Sequence, residues 1–188
     1  MDENKAVDVR FSGELIAVGS LQAGMVRRTL YNVECLGPDG RVKWADRFYN
    51  AVVTDGLNDS LDKHFKGSTY TAAWFVGLTG STPAFAAGDT MASHAGWAED
   101  TTYTEAARQA LTLGAVSGGS VSNSSNKAAY SINNTATIGG AFVTTGSVKG
   151  TGGSTGVLYG GGAFTGGNRA VQNGDTLNIT VTLTAGSA

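Results

Sequence analysis

The sequence is poor in residues that form covalent or metal cross-links, which limits what can hold the fold together. It has one cysteine, Cys35, and two histidines, His64 and His94, among 188 residues. One cysteine cannot form an intrachain disulfide, which fits folding in a reducing cytosol, and Cys35 is expected to pack as a small hydrophobe. The two histidines and Cys35 show no zinc-ligand spacing. The sequence therefore predicts no metal and no cofactor.

Positive charge and long apolar runs are also scarce. The formal net charge is −2, whereas a protein that neutralises phosphates needs an excess of lysine and arginine. No apolar run approaches the roughly 20 residues that span a bilayer. The first ten residues, MDENKAVDVR, lack the apolar region of a secretory signal. We therefore expect no nucleic acid and no membrane among the partners.

Charge and glycine divide the chain unevenly. Residues 1–66 hold 19 of the 28 Lys, Arg, Asp and Glu residues, whereas 22 of the 28 glycines follow them. Short apolar segments broken by Gly, Ser and Asn favour a mainly β fold, and we predict an antiparallel, jelly-roll-like β-sandwich. The length suits one domain with an arm. Because residues 1–28 show no clear period, we assign them to an N-terminal arm and residues 29–188 to the sandwich.

Two segments give the clearest strand signals. In TLNITVTLT, the apolar residues Leu177, Ile179, Val181 and Leu183 alternate with Asn and Thr, which indicates a half-buried strand. In RTLYNVECLGPDGRVKWADRFYN, two alternating runs flank GPDG, which supplies turn residues. This second segment predicts a β-hairpin.

One short helix is predicted around residues 57–66. In TDGLNDSLDKHFKG, Asp55 can cap the start and Gly67 suits the end. Apolar and aromatic side chains recur at helical spacing, namely Leu57, Leu61, His64 and Phe65. We expect this face to lie against the sheet.

The segment TEAARQALTL fits two structures. Thr102 and Glu105 could form a capping box, which favours a helix. The alternation of Ala107, Gln109, Leu111 and Leu113 also fits a strand. The neighbouring turns favour the strand.

No catalytic residues are predicted. Gly152–Gly156 reads GGSTG and matches the G-x-S-x-G nucleophile elbow, but that elbow needs a following helix and a histidine base. Here GVLYG reads as a strand and both histidines come earlier, so a plain turn is favoured over an esterase acting through Ser154. There is no P-loop and no dinucleotide-binding fingerprint. The acids Asp89, Glu99, Asp100 and Glu105 fall in predicted loops, where solvation is the simpler interpretation.

Three aromatic residues are candidates for binding a glycan or a partner surface: Trp74, Trp97 and Tyr103. Stacked aromatic rings recognise sugars, although packing in a core or interface is the more common role. His94 lies in MASHAGW, close to Trp97 in sequence, and is the histidine better placed for a function. His64 is expected to pack on the helix face.

Several segments of the second half resemble a family of tailed-bacteriophage virion proteins found among head and tail structural genes. The matching segments cover roughly residues 70–185 and occur in the order WFVGL, PAFAAGDTMASHAGWAE, YTEAARQALTL, SNSSNKAAYSI, TATIGGAFVTT, GGSTGVLYGGGAF and VQNGDTLNITVTL. Residues 1–66 lie outside this resemblance. It implies a β-sandwich subunit with a structural role, and it brings no catalytic residues to transfer.

The resemblance implies a decoration, cement or fibre-like protein and leaves head and tail both open. Of these we expect a capsid decoration or cement protein, made in the host bacterial cytoplasm and placed on the capsid surface of the virion. Such a protein would bind the major capsid protein as a homo-oligomer, a dimer or trimer, and would stabilise the assembled lattice. A tail, neck or fibre-associated structural protein is the main alternative. A glycan-binding module is another, and an esterase is the least favoured. Deleting residues 1–28 is expected to leave a folded domain that attaches more weakly.

Overall fold

The computed structural model describes residues 25–70 and 73–187, which are mainly β. The first elements in chain order are β1 (Met25–Leu36), β2 (Val42–Tyr49), β3 (Ala51–Val52), helix α1 (Thr54–Phe65), β4 (Phe75–Thr79), β5 (Glu99–Asp100) and β6 (Gln109–Ala110). They are followed by β7 (Ser120–Ser122), β8 (Ala128–Ser131), β9 (Ala136–Ile138), β10 (Gly140–Thr144), β11 (Leu158–Ala163), β12 (Arg169–Val171) and β13 (Thr176–Ser187).

The first sheet is built on two twelve-residue strands, β1 and β13, which pair antiparallel along their whole length. β2 flanks β1, and β7 and β8 both pair with β13 on its other side. The predicted alternation is confirmed, because Leu177, Ile179 and Val181 are fully buried while Thr180 is half-buried on the opposite face. The predicted hairpin is confirmed as β1 and β2, and Gly40 turns the chain between them with a φ of 75°.

Asn123 fills the gap between β7 and β8 along the edge of β13. Its side-chain amide donates to the carbonyl of Ile179 at 3.2 Å and accepts from the backbone N–H of Val181 at 2.7 Å. These are the two bonds that a neighbouring strand would otherwise make. The buried side chain therefore keeps the edge of β13 paired where the two short strands leave it.

The second sheet has the order β3-β11-β10-β4-β5, and β6 also pairs with β4. Its glycines make room for aromatic rings. A Cβ on Gly77 would lie 2.2 Å from the ring of Phe142, and one on Gly161 would lie 2.2 Å from the ring of Phe85. A third, two-stranded sheet pairs β9 with β12. Close packing of rings on bare backbone explains part of the high glycine content of the second half.

Both large sheets contribute to one hydrophobic core. Tyr31 and Leu177 of the first sheet belong to the same buried cluster as Val76, Ala141 and Tyr159 of the second. Burying each large apolar side chain contributes roughly 1.5–3 kcal/mol. The predicted mainly β, antiparallel fold with one short helix is confirmed, and the jelly-roll-like sandwich stays a prediction.

The helix α1 is confirmed, but it begins three residues earlier than expected and presents the opposite face to the sheet. Gly56 is its buried residue, and a Cβ there would lie 2.5 Å from the carbonyl oxygen of Tyr159. Asp55 does not cap the helix, because its carboxylate accepts from the backbone N–H of Leu158 at 2.8 Å. The close approach at Gly56 turns Leu57 outward.

Three further expectations concern the segment TEAARQALTL, the N-terminal arm and the absence of a membrane-spanning segment. Of the segment TEAARQALTL, Gln109–Ala110 form the strand β6. Residues 1–24 of the predicted arm lie outside the described residues, whereas residues 25–28 pair with β13. In the described ranges, no helix combines the length and the apolar character needed to cross a membrane.

Candidate functional site

A cavity of about 640 Å³ opens beside the loop that follows β4, and we call it the His94 cavity. Its lining brings together residues that are far apart in the sequence, among them His94, Trp97, Glu99, Arg108, Lys149 and Ser154. Three of these were singled out from the sequence as candidates for chemistry, namely His94, Glu99 and Ser154. The hydrogen bonds and ion pairs of these residues determine whether the cavity could support a reaction.

His94 is held by its neighbours on one side of its ring. The ring stacks on Trp97 with centroids 3.8 Å apart, and Nδ1 lies 3.0 Å from the carbonyl oxygen of Trp97. Since a carbonyl can only accept, Nδ1 is the donor in this contact. Within the described residues, the hydroxyl of Ser154 makes no hydrogen bond to His94. The geometry therefore lacks the nucleophile–base contact that the elbow hypothesis requires.

Glu99 and Arg108 neutralise each other at the back of the cavity. Two guanidinium nitrogens of Arg108 donate to the two carboxylate oxygens of Glu99 at 2.7 and 2.8 Å, and both side chains are buried. Arg108 also donates to the carbonyls of Gly146 and Gly153, and the N–H of Gly150 donates to Glu99 at 2.8 Å. With its oxygens bound in this way, Glu99 is poorly placed to accept a proton from a substrate.

Lys149 is engaged in the same region. Its Nζ donates to the carbonyl of Tyr103 at 2.8 Å and lies 4.0 Å from the centre of the Tyr103 ring. Together with Arg108, this lysine ties the segment 146–153 to the loop before β6. Sequence reasoning missed both residues as parts of a site. The sequence did offer one signal, the scarcity of charge in this part of the chain. Arg108 and Lys149 are two of only nine charged residues after position 66.

The three aromatic candidates do not come together as one platform. Trp97 is buried between Phe85 and Phe142, and its indole N–H donates to Asp89 at 3.0 Å. Tyr103 is 1% exposed and packs edge-on against Tyr130, and burial raises the pKa of its hydroxyl. Trp74 is the one of the three that is half-buried and reaches the surface.

Trp74 lies in a second concave region, the helix groove, of about 560 Å³ between α1 and the first sheet. Its indole N–H donates to the hydroxyl of Tyr70 at 3.1 Å, and its ring meets Tyr159 edge-on. His64 also lines this groove, together with Arg27, Asp59, Lys63 and several apolar side chains. The groove is a mixed surface in which polar groups from the helix face apolar groups from the sheet.

The remaining buried ionisable groups serve the fold. Burial, with the nearby Asp175 carboxylate, raises the pKa of the Cys35 thiol to about 11. Cys35 is therefore protonated at neutral pH and packs as a small hydrophobe in the core. Across the described ranges, no three His, Cys, Asp or Glu side chains are grouped so that they could hold a metal ion.

The comparisons with known proteins add no relative. No protein-family model, no curated protein and no solved structure matches the chain.

Proposed function

We propose that this chain is a structural subunit of a bacteriophage virion that binds the assembled major capsid lattice and stabilises the head. Its place is the capsid surface, and its partners are the major capsid protein and further copies of itself. The ordered segments between residues 70 and 185 that resemble phage virion proteins support the virion assignment. The proposal involves adhesion without a chemical reaction.

The outer face of the first sheet is the observation that carries the proposal. Registered pairs across β1, β13, β7 and β8 place small side chains side by side, namely Asn32, Asn178, Thr180, Thr182, Ser122 and Ala129, next to the Glu34–Lys127 ion pair. Short side chains lose little rotamer entropy when another protein covers them. Two twelve-residue strands make this face long. Such a surface suits repeated docking against a regular lattice.

The bonding of Glu99 in the His94 cavity favours a structural use of this carboxylate over a catalytic one. The one carboxylate of the cavity, that of Glu99, is bound to Arg108 and to the N–H of Gly150. A general base needs free lone pairs within reach of a substrate proton. The pairing instead pins the segment 146–153, which is a structural use of charge.

Mass spectrometry of purified virions tests the assignment directly. Virions produced from the genome that encodes the chain should contain it in many copies per particle. A handful of copies per particle would favour the tail, neck or fibre alternative, and absence from the virion would overturn the proposal.

A binding assay tests the sheet face. Particles stripped of this protein are incubated with the full chain or with Thr180→Lys, which adds a long, charged side chain in the middle of the face. We expect binding at least about tenfold weaker, corresponding to roughly 1.4 kcal/mol or more. Thr151→Lys, at an exposed position outside the first sheet, is the matched control and should bind like the unchanged chain. Equal binding by Thr180→Lys would show that this face does not contact the lattice.

A further inference from the structure

Within the described ranges, residues 25–28 of β1 pair with a strand on one side only. β13 lies beside β1 along its whole length, whereas β2 pairs with β1 from Leu30 to Leu36. The chain leaves the first sheet after β2, because β3 belongs to the second sheet. We call the side of residues 25–28 that faces away from β13 the β1 edge.

The β1 edge presents the backbone of Arg27. The N–H of Asn50 donates to the carbonyl of Thr29 at 3.1 Å, so the backbone polar groups of Thr29 point away from β13. Alternate residues of an antiparallel strand direct their N–H and C=O to the same side, and those of Arg27 therefore point to the β1 edge. A strand edge is a template for a further strand, and folded proteins usually cover it.

The chain itself supplies a candidate strand close to the β1 edge. Residues 14–18, which lie outside the described residues, read ELIAV between Gly13 and Gly19. Leucine apart, the apolar members favour strands when β-branched, as isoleucine and valine are. The connection to Met25 is GSLQAG, which contains turn residues. A segment joined by so short a connection reaches an effective concentration in the millimolar range, which favours it over any separate molecule.

We propose that residues 14–17 form a strand that pairs antiparallel with residues 25–28 on the β1 edge. The two strands then make a β-hairpin that adds a further strand to the first sheet. In the register we assign, Glu14 lies opposite the exposed Arg28. Opposite charges directly across an antiparallel pair stabilise it, so this pair selects the register.

The same register directs Leu15 toward the helix groove. Side chains of directly opposed residues point to the same face of a sheet. Arg27 lines the helix groove, as do Leu183 and Ala185 of β13, and Ala185 is the partner of Arg27 in that pairing. Leu15, on the other side of Arg27, adds an apolar side chain to the same wall. The segment thus covers part of an apolar groove as well as a strand edge.

This inference does not rest on the proposed function, because the β1 edge is distinct from the outer face of the first sheet. A strand from the same chain would also keep the β1 edges of neighbouring copies from joining. Attachment to particles and pairing of the edge are measured separately, so either proposal can fail without the other.

Hydrogen exchange of the full chain, followed by NMR, tests the pairing. In the assigned register the N–H groups of Leu15 and Arg27 bond each other's carbonyls, whereas the N–H of Ile16 points away from the sheet. After correction for intrinsic rates, the amides of Leu15 and Arg27 should exchange at least about tenfold more slowly than that of Ile16. Equal exchange of Leu15 and Ile16 would overturn the inference.

A charge reversal tests the register. Glu14→Lys places two positive side chains opposite each other and should speed exchange at the Leu15 amide by about threefold or more. Adding Arg28→Glu to the same chain restores an opposite-charge pair and should return the rate to that of the unchanged chain. Asp8→Lys is the matched control, because it makes the same change of charge outside residues 14–17. Failure of the second substitution to restore the rate, or an equal effect of the control, would contradict the pairing.

A disulfide tests whether the strand comes from the same chain. Glu14 and Arg28 would form a pair without mutual backbone hydrogen bonds, whose Cα atoms lie about 4.5 Å apart and within the range of a disulfide. After mild oxidation of Glu14→Cys/Arg28→Cys, the denatured, unreduced chain should therefore offer only Cys35, which is buried in the folded protein, to alkylation. Asp8→Cys/Arg28→Cys is the control and should form little disulfide.

Two outcomes of the disulfide experiment would overturn the inference. A disulfide-linked dimer of Glu14→Cys/Arg28→Cys would show that a second copy supplies the strand. An equal disulfide yield in the Asp8→Cys/Arg28→Cys control would show that residue 14 has no preferred place opposite Arg28.

Discussion

Asp175 is buried at the start of β13, where three parts of the chain converge on its carboxylate. Oδ2 accepts from Lys43 Nζ at 2.7 Å and from the N–H of Gln172 at 2.9 Å, and the thiol of Cys35 lies 3.7 Å away. Burial alone would raise the pKa of Asp175, but these hydrogen bonds outweigh it and lower the pKa. One carboxylate thus joins the β1–β2 hairpin to the turn before β13.

We predict that Asp175→Asn lowers the free energy of unfolding by about 1–3 kcal/mol at neutral pH, because the charge-assisted bond to Lys43 is lost. Urea unfolding followed by circular dichroism measures the change. Asp39→Asn is the control, since Asp39 is exposed and lies 3.8 Å from the exposed Arg41. The control should change stability by less than about 0.5 kcal/mol. Equal effects of the two substitutions would contradict the role given to Asp175.

At the scale of an element, β13 is the strand on which the first sheet depends. It pairs with β1, β7 and β8, and its alternating residues separate the core from the outer face. The contrast is sharpest between neighbours, because Val181 is fully buried and Thr180 is half-buried on the other side.

We expect Val181→Asp to prevent stable folding, because it would bury an unpaired carboxylate at a cost above roughly 4 kcal/mol. Thr180→Asp, one residue away on the outer face, should fold and unfold cooperatively near the midpoint of the unchanged chain. Thermal unfolding and soluble yield measure both. A folded Val181→Asp would show that this side of β13 is less enclosed than the structure indicates.

At the scale of the whole molecule, buried carboxylates tie the β1–β2 hairpin to the segment 165–175. Asp46 accepts from the N–H groups of Thr165 and Gly166 and from Arg169 at 3.1 Å. Burial would raise the pKa of Asp46, but the bonds from Gly166, Arg169 and Thr165 together lower it. Asp46 and Asp175 therefore both release their protons more readily in the folded chain than in the unfolded chain.

This difference predicts a loss of stability in acid. A lowered pKa in the folded state contributes stability in full above the unfolded-state value of 3.8, and the contribution disappears as the pH falls through the folded-state value. The melting temperature should therefore drop steeply below about pH 4. Asp46→Asn should be less stable at neutral pH and show a shallower acid slope. Identical slopes for the two proteins would contradict the contribution of Asp46.

The strands and the helix could be predicted wherever a pattern is local and long enough. The alternation in β13 and the hairpin β1–β2 are periodic over many residues, so each segment carries its own signal. β6 has two residues and β7 has three, which is too short for a period to show. Their pairing depends on β4 and β13, which lie far away in the sequence.

The inward face of α1 and the lining of the His94 cavity could not be predicted from the sequence. Both depend on contacts between residues that are far apart in the chain. Helical spacing determines which residues share a face of α1, but the approach of Gly56 to Tyr159 sets which face turns inward. Glu99 and Arg108 are close in sequence, yet their site exists because the segment 146–153 folds over them. Periodicity is a property of neighbouring residues, so the sequence alone specified strands, helix and the inner side of β13. The orientation of α1 and the enclosure of Glu99 and Arg108 arise from long-range packing, so only the tertiary structure established them.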